Sequence, residues 1–376
     1  MIKEIYIDNF RCFSNFRINP GKFQLWLGKN GSGKTSVLEA LKIIQKILSG
    51  QDILSGDDDT VNKDSLTKWG KRNEQTFGLI LEIDKESYDY EIVLEYAKNS
   101  DECRIKKEIL KWKNQVFFNF DGNEAHLYRI ERKKEEEVKE GTHFSADWRR
   151  SVIPSIGKRE DNLPLIKFRE EIKKLLIIRP NPALIEQIAK SEDKWLSNHA
   201  ENFSSWYRHL IQENSGIAYK AQEYLKDVLP GFEILNLVES GDMRRLEAEF
   251  KIENSNYAFK FKNLSDGQRQ LIVLYMILES LKHKVFSVLF IDEPENFVSL
   301  REIQPWLKLL EEVCGEKSVQ SIIISHHPEI INNMAHGSEL WFSRQNGAQV
   351  ITKPFPEIPG LTPAETMARG WEENEQ

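Results

Sequence analysis

A glycine-rich segment that ends in a lysine and a threonine has the spacing needed to bind phosphate groups. Residues 28–35 read GKNGSGKT and fit the pattern G-x-x-x-x-G-K-[ST] at every fixed position. Glycines would let backbone N–H groups converge on phosphate oxygens, Lys34 would reach the β- and γ-phosphates, and the Thr35 hydroxyl would bind Mg²⁺. The other residues expected around the phosphates are Asn30, Gly31, Ser32, Gly33 and Ser36. We therefore predict a site for the phosphates of a nucleotide.

The residues on either side of this segment predict the strand–loop–helix context that a phosphate loop requires. An apolar run at residues 23–27 is typical of a short buried strand. Apolar residues then recur at helical spacing, at Val37, Leu38, Leu41 and Ile44. A helix that begins at the loop would also point its positive N-terminal end toward the phosphates. This context favours a phosphate loop over an incidental glycine-rich turn.

A second group of residues that could do chemistry follows two apolar runs in the last third of the chain. Residues 285–291 (VFSVLFI) have the continuous composition of a central parallel strand, and Asp292 and Glu293 come directly after them. Residues 321–324 form another such run, with a serine and two histidines behind it. Because α/β sheets bind ligands beyond the carboxyl ends of their strands, we expect ligand chemistry at both places.

A polar segment also precedes an apolar helix in this part of the chain. It reads NLSDGQRQ at residues 263–270, and the helix is predicted at 271–281. Ser265 is well placed as the N-cap of that helix, which by itself would account for a serine there. The segment alone therefore does not establish a function.

Composition limits the class of protein. The chain has 376 residues, of which 40% are hydrophobic and 30% charged, with a formal net charge of −7, as is ordinary for a globular protein. The sequence lacks an apolar run near the roughly 20 residues needed to span a bilayer, and its N-terminus alternates like a strand instead of a signal peptide. Cys12, Cys103 and Cys314 are isolated, so neither a disulfide framework nor a zinc site is expected. We therefore predict a cytoplasmic protein without a membrane partner.

The order of predicted elements indicates an α/β fold with three parts. Residues 1–130 combine the phosphate loop with several strand patterns, which indicate an antiparallel β lobe. Residues 140–230 have helical patterns, at residues 163–176 and 193–212, and their aromatic residues fit helical core packing better than a ligand site. Residues 231–376 return to strands and contain the carboxylate and histidine segments. We expect one domain over residues 1–376, with a mixed sheet at its core.

Taken together, these segments resemble the ABC-type ATPases of the SMC–RecF–OLD group over nearly the whole chain. The resembling segments are IKEIYIDNFRCF near the N-terminus, GKNGSGKT as Walker A, LSDGQ as the ABC signature, LFIDEPE as Walker B with its glutamate, and IIISHHPE as the switch-histidine strand. Within the group, LSDGQRQL, REIQPWL and ISHHPEII are most similar to stand-alone bacterial AAA-family ATPases related to OLD proteins. The resemblance implies a P-loop ATPase head with a mixed sheet core, an antiparallel β lobe and a helical insert.

The resemblance also implies a role for each matching residue in ATP hydrolysis. Lys34 would bind the β- and γ-phosphates, while Thr35 and Asp292 would position Mg²⁺. Glu293 would orient or activate the attacking water. His326, in preference to the histidine after it, would contact the γ-phosphate. These residues would form the catalytic centre of an ATPase.

Further nucleotide contacts are implied outside these motifs. Arg11 resembles the phosphate-contacting arginine of the family. Gln75 is a candidate for the Q-loop glutamine, which contacts the nucleotide and Mg²⁺, because it directly precedes a predicted strand. Gln51 remains the alternative for that role.

The signature segment implies a second copy of the chain. Ser265, Gly267 and Gln268 would close on ATP bound by the opposite protomer, which makes the active form a head-to-tail homodimer with two ATPs at its interface. ATP binding would then join the copies and hydrolysis would release them. The sequence departs from the family pattern at Asp266, where transporters usually have glycine, and at Ser299, which replaces the D-loop aspartate. These departures place the usual communication across the dimer in question.

The leading functional hypothesis is an ATP-gated dimeric switch that regulates a separate effector protein, such as a nuclease or toxin, in antiviral defence. OLD proteins carry a nuclease domain beyond the switch histidine. Only 49 residues follow His327 in this sequence. We therefore expect another chain to supply any effector.

The main alternative is a DNA-binding ATPase of DNA repair or chromosome maintenance. Its candidate basic surfaces lie at residues 106–113, at residues 149–150 together with 158–159, and at residues 167–174, although ordinary solvated surface would explain the same residues. A third hypothesis is the ATPase subunit of an ABC transporter. The 231 residues that separate Lys34 from Ser265 argue against it, since transporter ATPases have a much shorter interval.

Overall fold

A computed structural model describes residues 1–51, 54, 61–98, 102–131, 137–335, 339–356 and 358–370. Two compact units divide the chain. The first comprises Met1–Gly21, Trp26–Leu175 and Leu340–Pro354. The second comprises Lys22–Leu25, Leu176–Glu339 and the residues from Phe355 onward.

The described residues form 18 strands and seven α-helices. The strands are β1 (Ile2–Asp8), β2 (Phe16–Ile18), β3 (Phe23–Gly28), β4 (Glu74–Ile83), β5 (Glu86–Tyr96), β6 (Cys103–Trp112), β7 (Gln115–Phe120), β8 (Glu124–Glu131), β9 (Glu137–Ser145), β10 (Leu175–Ile178), β11 (Ile188–Ala189), β12 (Phe232–Ser240), β13 (Met243–Ile252), β14 (Ser255–Lys260), β15 (Val288–Asp292), β16 (Gln320–Ile324), β17 (Leu340–Gln345) and β18 (Gln349–Pro354). The helices are α1 (Lys34–Leu48), α2 (Leu163–Lys173), α3 (Phe203–Val228), α4 (Asp266–Lys282), α5 (Leu300–Glu316), α6 (Pro328–Met334) and α7 (Pro363–Ala368). This is a mixed α/β fold, as the sequence predicts.

Eight strands of the first unit form an antiparallel sheet in the order β2-β1-β4-β5-β6-β7-β8-β9. Every second residue of β5 is buried, namely Tyr88, Tyr90, Ile92, Leu94 and Tyr96. This alternation places one face of the sheet in a core. Between β4 and β5, Asp84 and Lys85 both have positive φ angles, 49° and 68°, as in a two-residue hairpin turn. The predicted antiparallel β lobe is therefore confirmed.

The first unit also contains the carboxyl end of β3 and the helix that follows it. Residues 26–28 of β3 pair in parallel with β17, which pairs antiparallel with β18. Helix α1 starts six residues after β3 ends, and it buries the apolar residues that the helical spacing indicates. The side chain of Gln45 on α1 donates to the carbonyls of Ile172 (3.2 Å) and Leu175 (2.7 Å). This strand and this helix position the phosphate loop between them.

The second unit is built around β15 and β16, a parallel pair in which every residue is buried. Strand β10 lies beside β15. On the other side, the backbone N–H of Ser321 in β16 donates to the carbonyl of Lys22 at the start of β3 (2.9 Å). Helix α4 is buried from Gln270 through Leu281 and packs against α3 and α5. The continuous apolar runs of the sequence thus form the centre of this unit, as expected for strands covered on both faces.

A second sheet in this unit is antiparallel. Its central strand, β13, pairs with β11, β12 and β14. Helix α3 packs on β12 and α4, and Asn214 interrupts it with non-helical angles (φ −156°, ψ 80°). Across the part of the chain that the structure describes, no helix has the length and hydrophobicity required to span a membrane.

Residues 140–230, expected to form a helical insert, hold both helices and core strands. Helix α2 ends at Lys173, whereas the helical pattern extends to residue 176, and the run Leu175–Ile178 forms β10. A run of four apolar residues fits a helix or a strand, and pairing with a neighbouring strand decides between them. Helix α3 likewise begins at Phe203, ten residues later than the pattern predicts. This part of the chain therefore contributes a strand next to β15.

Candidate nucleotide-binding site

The phosphate loop has a backbone that only glycine adopts without strain. Gly28, Gly31 and Gly33 have φ angles of +147°, +75° and +108°. A Cβ atom at Gly28 would lie 2.5 Å from the carbonyl oxygen of Phe342, and one at Gly33 would lie 3.1 Å from the Phe13 ring. Conformation therefore requires glycine at all three positions, and at Gly28 and Gly33 the available space requires it as well.

Lys34 and the first turn of α1 face this loop. The N-cap residue of α1 is Gly33, whose lack of a side chain leaves the N-terminal amides to other acceptors. The buried ammonium of Lys34 donates to the carbonyls of Gly28 (2.6 Å) and Lys29 (3.2 Å) and to the Ser32 hydroxyl (3.4 Å). These three contacts hold the ammonium against the loop. A cation and a helix N-terminus at one loop are complementary to phosphate.

Two arginines of the first unit contact the loop or the helix behind it. The Nε of Arg344 on β17 donates to the carbonyl of Gly31 (2.8 Å). These two residues are far apart in the sequence, so no local motif indicates their contact. Arg11, expected to contact phosphate, has a positive φ of 49° and forms an ion pair with Glu39 on α1 (2.8 Å). Burial raises the pKa of Glu39, and Arg11 partly offsets that rise. Arg11 therefore lies beside α1, one turn beyond Thr35, and Thr35 itself is exposed.

Gln75 occupies a different environment from the one expected of a Q-loop residue. Its side chain is fully buried in β4, where Nε2 donates to the Ser65 hydroxyl (2.9 Å) and Oε1 accepts from the Tyr96 hydroxyl (2.8 Å). Both ends of the amide are thus used within the β lobe, and the role of Gln75 as a nucleotide or Mg²⁺ ligand stays a prediction. The alternative, Gln51, is exposed beyond the end of α1, about 24 Å from Thr35 at 1.5 Å per residue.

In the second unit, Asp292 and Glu293 lie at the carboxyl end of β15, as predicted. Asp292 is the last residue of the strand and is buried. Glu293 has a positive φ of 50°, and its backbone N–H donates to the carbonyl of Ile324 in β16 (2.8 Å). Its carboxylate accepts hydrogen bonds from the side chains of Asn296 (3.0 Å) and Arg179. Arg179 was not identified from the sequence.

The two histidines after β16 have different environments. His327 is the N-cap residue of α6, and its Nδ1 accepts from the backbone N–H of Glu329 (3.3 Å). The backbone N–H of His327 donates to Ser325, whose hydroxyl donates to Glu295 (2.5 Å). Burial raises the pKa of Glu295, and the hydrogen bond from Ser325 opposes that rise. His326 is exposed and does not cap the helix, so the preference for His326 as the phosphate-contacting histidine stands as a prediction.

The signature segment caps α4 and contacts the loop that follows Glu293. Ser265 accepts from the N–H of Gln268 (3.2 Å), and the Gln268 side chain accepts from the N–H of Ser265 (3.0 Å), a reciprocal capping box. A Cβ atom at Gly267 would lie 2.7 Å from the carbonyl oxygen of Phe297. The buried side chain of Gln270 donates to the carbonyl of Pro294 (3.0 Å). The signature segment and the loop that follows Glu293 are therefore fixed to each other.

Two departures from the family pattern have local structural explanations. Asp266 forms an ion pair with Arg269, which also donates to the carbonyl of Pro182 (2.6 Å). Ser299 is the N-cap residue of α5, with its backbone N–H and its hydroxyl both donating to Glu302. The serine at the D-loop position therefore acts as a helix cap.

Comparison with known proteins identifies the family. A family model described as "AAA domain, putative AbiEii toxin, Type IV TA system" matches residues 27–332. The chain belongs to this AAA-domain family. The match includes both the phosphate loop and the Asp292–Glu293 pair, so this AAA-domain protein is an ATPase and binds nucleotide. A search of curated proteins gives no match.

Solved structures show which ATPase fold the AAA-domain protein has. It is similar to the "SmcHead bound to the C-winged helix domain of ScpA", with a TM-score of 0.58, 14% identity, and coverage of 94% of this chain and 98% of that one. It is also similar to an "Smc head domain with an extended coiled coil bound to the C-terminal domain of ScpA derived from Pyrococcus furiosus", with a TM-score of 0.51, 13% identity, and coverage of 99% and 98%. The predicted SMC- and RecF-type ATPase fold is therefore confirmed.

Proposed function

We propose that this AAA-family ATPase binds Mg²⁺–ATP through its phosphate loop and hydrolyses it with Glu293. The observation that carries the proposal is the buried ammonium of Lys34, which donates to three oxygens of the phosphate loop at the N-terminus of α1. Lys34 and the loop amides bind the β- and γ-phosphates. Glu293 orients the attacking water, and His326 contacts the γ-phosphate.

The oxygen ligands available in the chain suit Mg²⁺. The Thr35 hydroxyl and the Asp292 carboxylate are hard oxygen donors, which Mg²⁺ prefers, and they are the residues that would hold it. When bound, the ion would offset the negative charge of the phosphates. The residues of the phosphate loop bind and orient ATP.

The test compares two variants that separate binding from hydrolysis. Lys34→Ala should lose ATP binding, measured by calorimetry, together with phosphate release. Glu293→Gln should bind ATP as the wild type does and lose phosphate release, because only the group that orients water is changed. Lys107→Ala, an exposed lysine on β6, is the control and should match the wild type. Phosphate release by Glu293→Gln at the wild-type rate would contradict the assignment.

We further propose that ATP joins two copies head to tail, with the signature residues Ser265, Gly267 and Gln268 of one copy against the nucleotide of the other. The exposed N-cap residue Ser265 supports this, as does Phe297 near the first turn of α4, which is 53% exposed in a left-handed backbone conformation (φ 72°). In light scattering, ATP should double the mass of Glu293→Gln. Adding Ser265→Arg should keep the mass of one chain while leaving ATP binding intact. A mass that still doubles with ATP when Ser265→Arg is combined with Glu293→Gln would contradict the proposed interface.

We propose that the dimer regulates a separate effector protein, such as a nuclease or toxin, in antiviral defence, as a relative of OLD proteins. The family description, which names a putative toxin and a toxin–antitoxin system, supports a toxic output. The three cysteines are free thiols, which suits the cytoplasm where we place the protein. Cells with the wild-type gene should survive phage challenge better than cells with Lys34→Ala. Equal survival across a broad phage panel would contradict this role.

DNA binding in repair or chromosome maintenance is the second candidate, and the likeness to SMC heads favours it. The candidate basic segment 106–113, which covers part of β6 and the first residue after it, is not a continuous positive surface, however, because its lysines form ion pairs with acids of β4 and β5. These pairs are Lys106–Glu74, Lys107–Glu91, Lys111–Asp89 and Lys113–Glu86. DNA affinity that falls steeply with salt, with a slope reduced by lysine substitutions on β6, would support this candidate. Salt-independent or absent binding would exclude it.

A further inference from the structure

Arg179 is an arginine whose main chain is fixed next to the proposed catalytic glutamate. It follows β10 directly, and β10 lies beside β15, the strand that ends at Asp292. Its backbone N–H donates to the carbonyl of Asn198 (2.8 Å), and its carbonyl accepts from Nδ1 of His199 (2.8 Å). Both polar groups of its peptide backbone are thus anchored. The position of Arg179 at the end of the strand is therefore part of the fold.

The guanidinium of Arg179 and the side chain of Asn296 bind the same oxygen of Glu293. Nη2 of Arg179 and Nδ2 of Asn296 both donate to Oε2, the latter at 3.0 Å. The backbone of Glu293 is fixed at the same time by the hydrogen bond from its N–H to Ile324 (2.8 Å). An oxygen that accepts from a cation and an amide has little remaining capacity to accept from a water molecule.

We infer that Arg179 restrains Glu293 and thereby lowers the rate of ATP hydrolysis; the inference rests on the proposed role of Glu293. The restraint is weak, because half of the Arg179 side chain and a quarter of the Glu293 side chain are exposed to solvent. Exposed ion pairs change a population by at most about fivefold.

Removing the guanidinium should therefore increase turnover. Arg179→Met, which keeps the length of the side chain, should raise kcat by about two- to fivefold and leave KM within about twofold of the wild type. Arg179→Lys keeps a charge without the planar fork and should give a smaller rise. Arg104→Met is the matched control, since Arg104 pairs with Glu95 at 51% and 19% exposure, close to the 50% and 25% of Arg179 and Glu293. It should leave kcat unchanged.

A double variant tests whether the effect passes through Glu293. In the Glu293→Gln background, Arg179→Met should have no effect on the residual rate, a result that general loosening of the fold would not give. An unchanged or lower kcat in Arg179→Met would overturn the inference, and Arg179→Gln replaces this variant if it fails to fold. If Glu293→Gln hydrolyses ATP normally, the proposed role of Glu293 is wrong, and the inferred restraint by Arg179 is wrong as well. If Glu293→Gln is inactive and Arg179→Met is not faster, only the restraint is wrong.

Discussion

Replacing Glu108 by glutamine should stabilise the protein above pH 7 and have little effect at pH 5. Glu108 is fully buried in β6, where its Oε1 accepts from the hydroxyls of Tyr90 (2.7 Å) and Ser151 (2.8 Å). Its Oε2 has no hydrogen-bond partner among the described residues. Burial raises the pKa of Glu108 from 4.5 to about 7, while the two hydroxyls oppose the rise.

The sign and size of the effect follow from this pKa. The folded protein binds the proton more tightly than the unfolded chain, so the contribution to stability is complete below pH 4.5 and is lost as the pH rises through 7. The interval between those two values corresponds to about 3 kcal/mol of unfolding free energy. Glutamine resembles the protonated acid, because it is neutral and retains the acceptor for the two hydroxyls. The free energy of unfolding of Glu108→Gln should therefore not fall over this pH range.

Urea unfolding at pH 5, 6, 7 and 8.5 measures the difference between variant and wild type. The difference should grow with pH by up to about 3 kcal/mol in favour of Glu108→Gln. Glu91→Gln is the control, since Glu91 is an exposed carboxylate of the neighbouring strand that pairs with Lys107, and its difference should stay nearly constant with pH. A Glu108→Gln difference that is the same at pH 5 and pH 8.5 would refute the argument.

Two further predictions concern the phosphate loop and the β lobe. Gly28→Ala should weaken ATP binding by about tenfold or more, because its Cβ would lie 2.5 Å from the carbonyl oxygen of Phe342 at a φ of +147°; calorimetry that finds wild-type affinity would contradict this. Gln75→Leu should keep ATP turnover within about twofold and lower stability by about 1–3 kcal/mol, because it removes the acceptor of the buried Tyr96 hydroxyl and one of the two hydrogen bonds of the Ser65 hydroxyl. A large loss of turnover with unchanged urea unfolding would restore Gln75 to the nucleotide site.

The phosphate loop could be predicted because its signal is contiguous in sequence. Residues 28–35 specify both the conformation, through glycines, and the charge, through Lys34. The carboxylates after β15 could be placed for a similar reason, since a continuous apolar run predicts a buried parallel strand. In each case the local pattern and the fold agree, and a short window of sequence contains the whole argument.

The features that sequence did not reveal depend on pairing between distant residues. Strand β10 was predicted as the end of a helix, since four apolar residues become a strand only through β15. The contact between Arg179 and Glu293 follows from that pairing and could not be found without it. The partners of Gln75 in the β lobe, Ser65 and Tyr96, are likewise set by tertiary packing. The cap at Ser299, in contrast, has a readable signal, the spacing Ser-x-x-Glu of a capping box.

The central claim is that ATP joins two copies of this ATPase and that hydrolysis separates them. The most direct test is a native mass spectrum of Glu293→Gln isolated from its own cells in the presence of ATP and Mg²⁺. We predict a mass of two chains with two ATPs, together with any bound effector or nucleic acid, and the mass of one chain when ADP replaces ATP. The mass of a single chain with both ATP and ADP would contradict the dimeric switch and indicate an ATPase that works as a monomer.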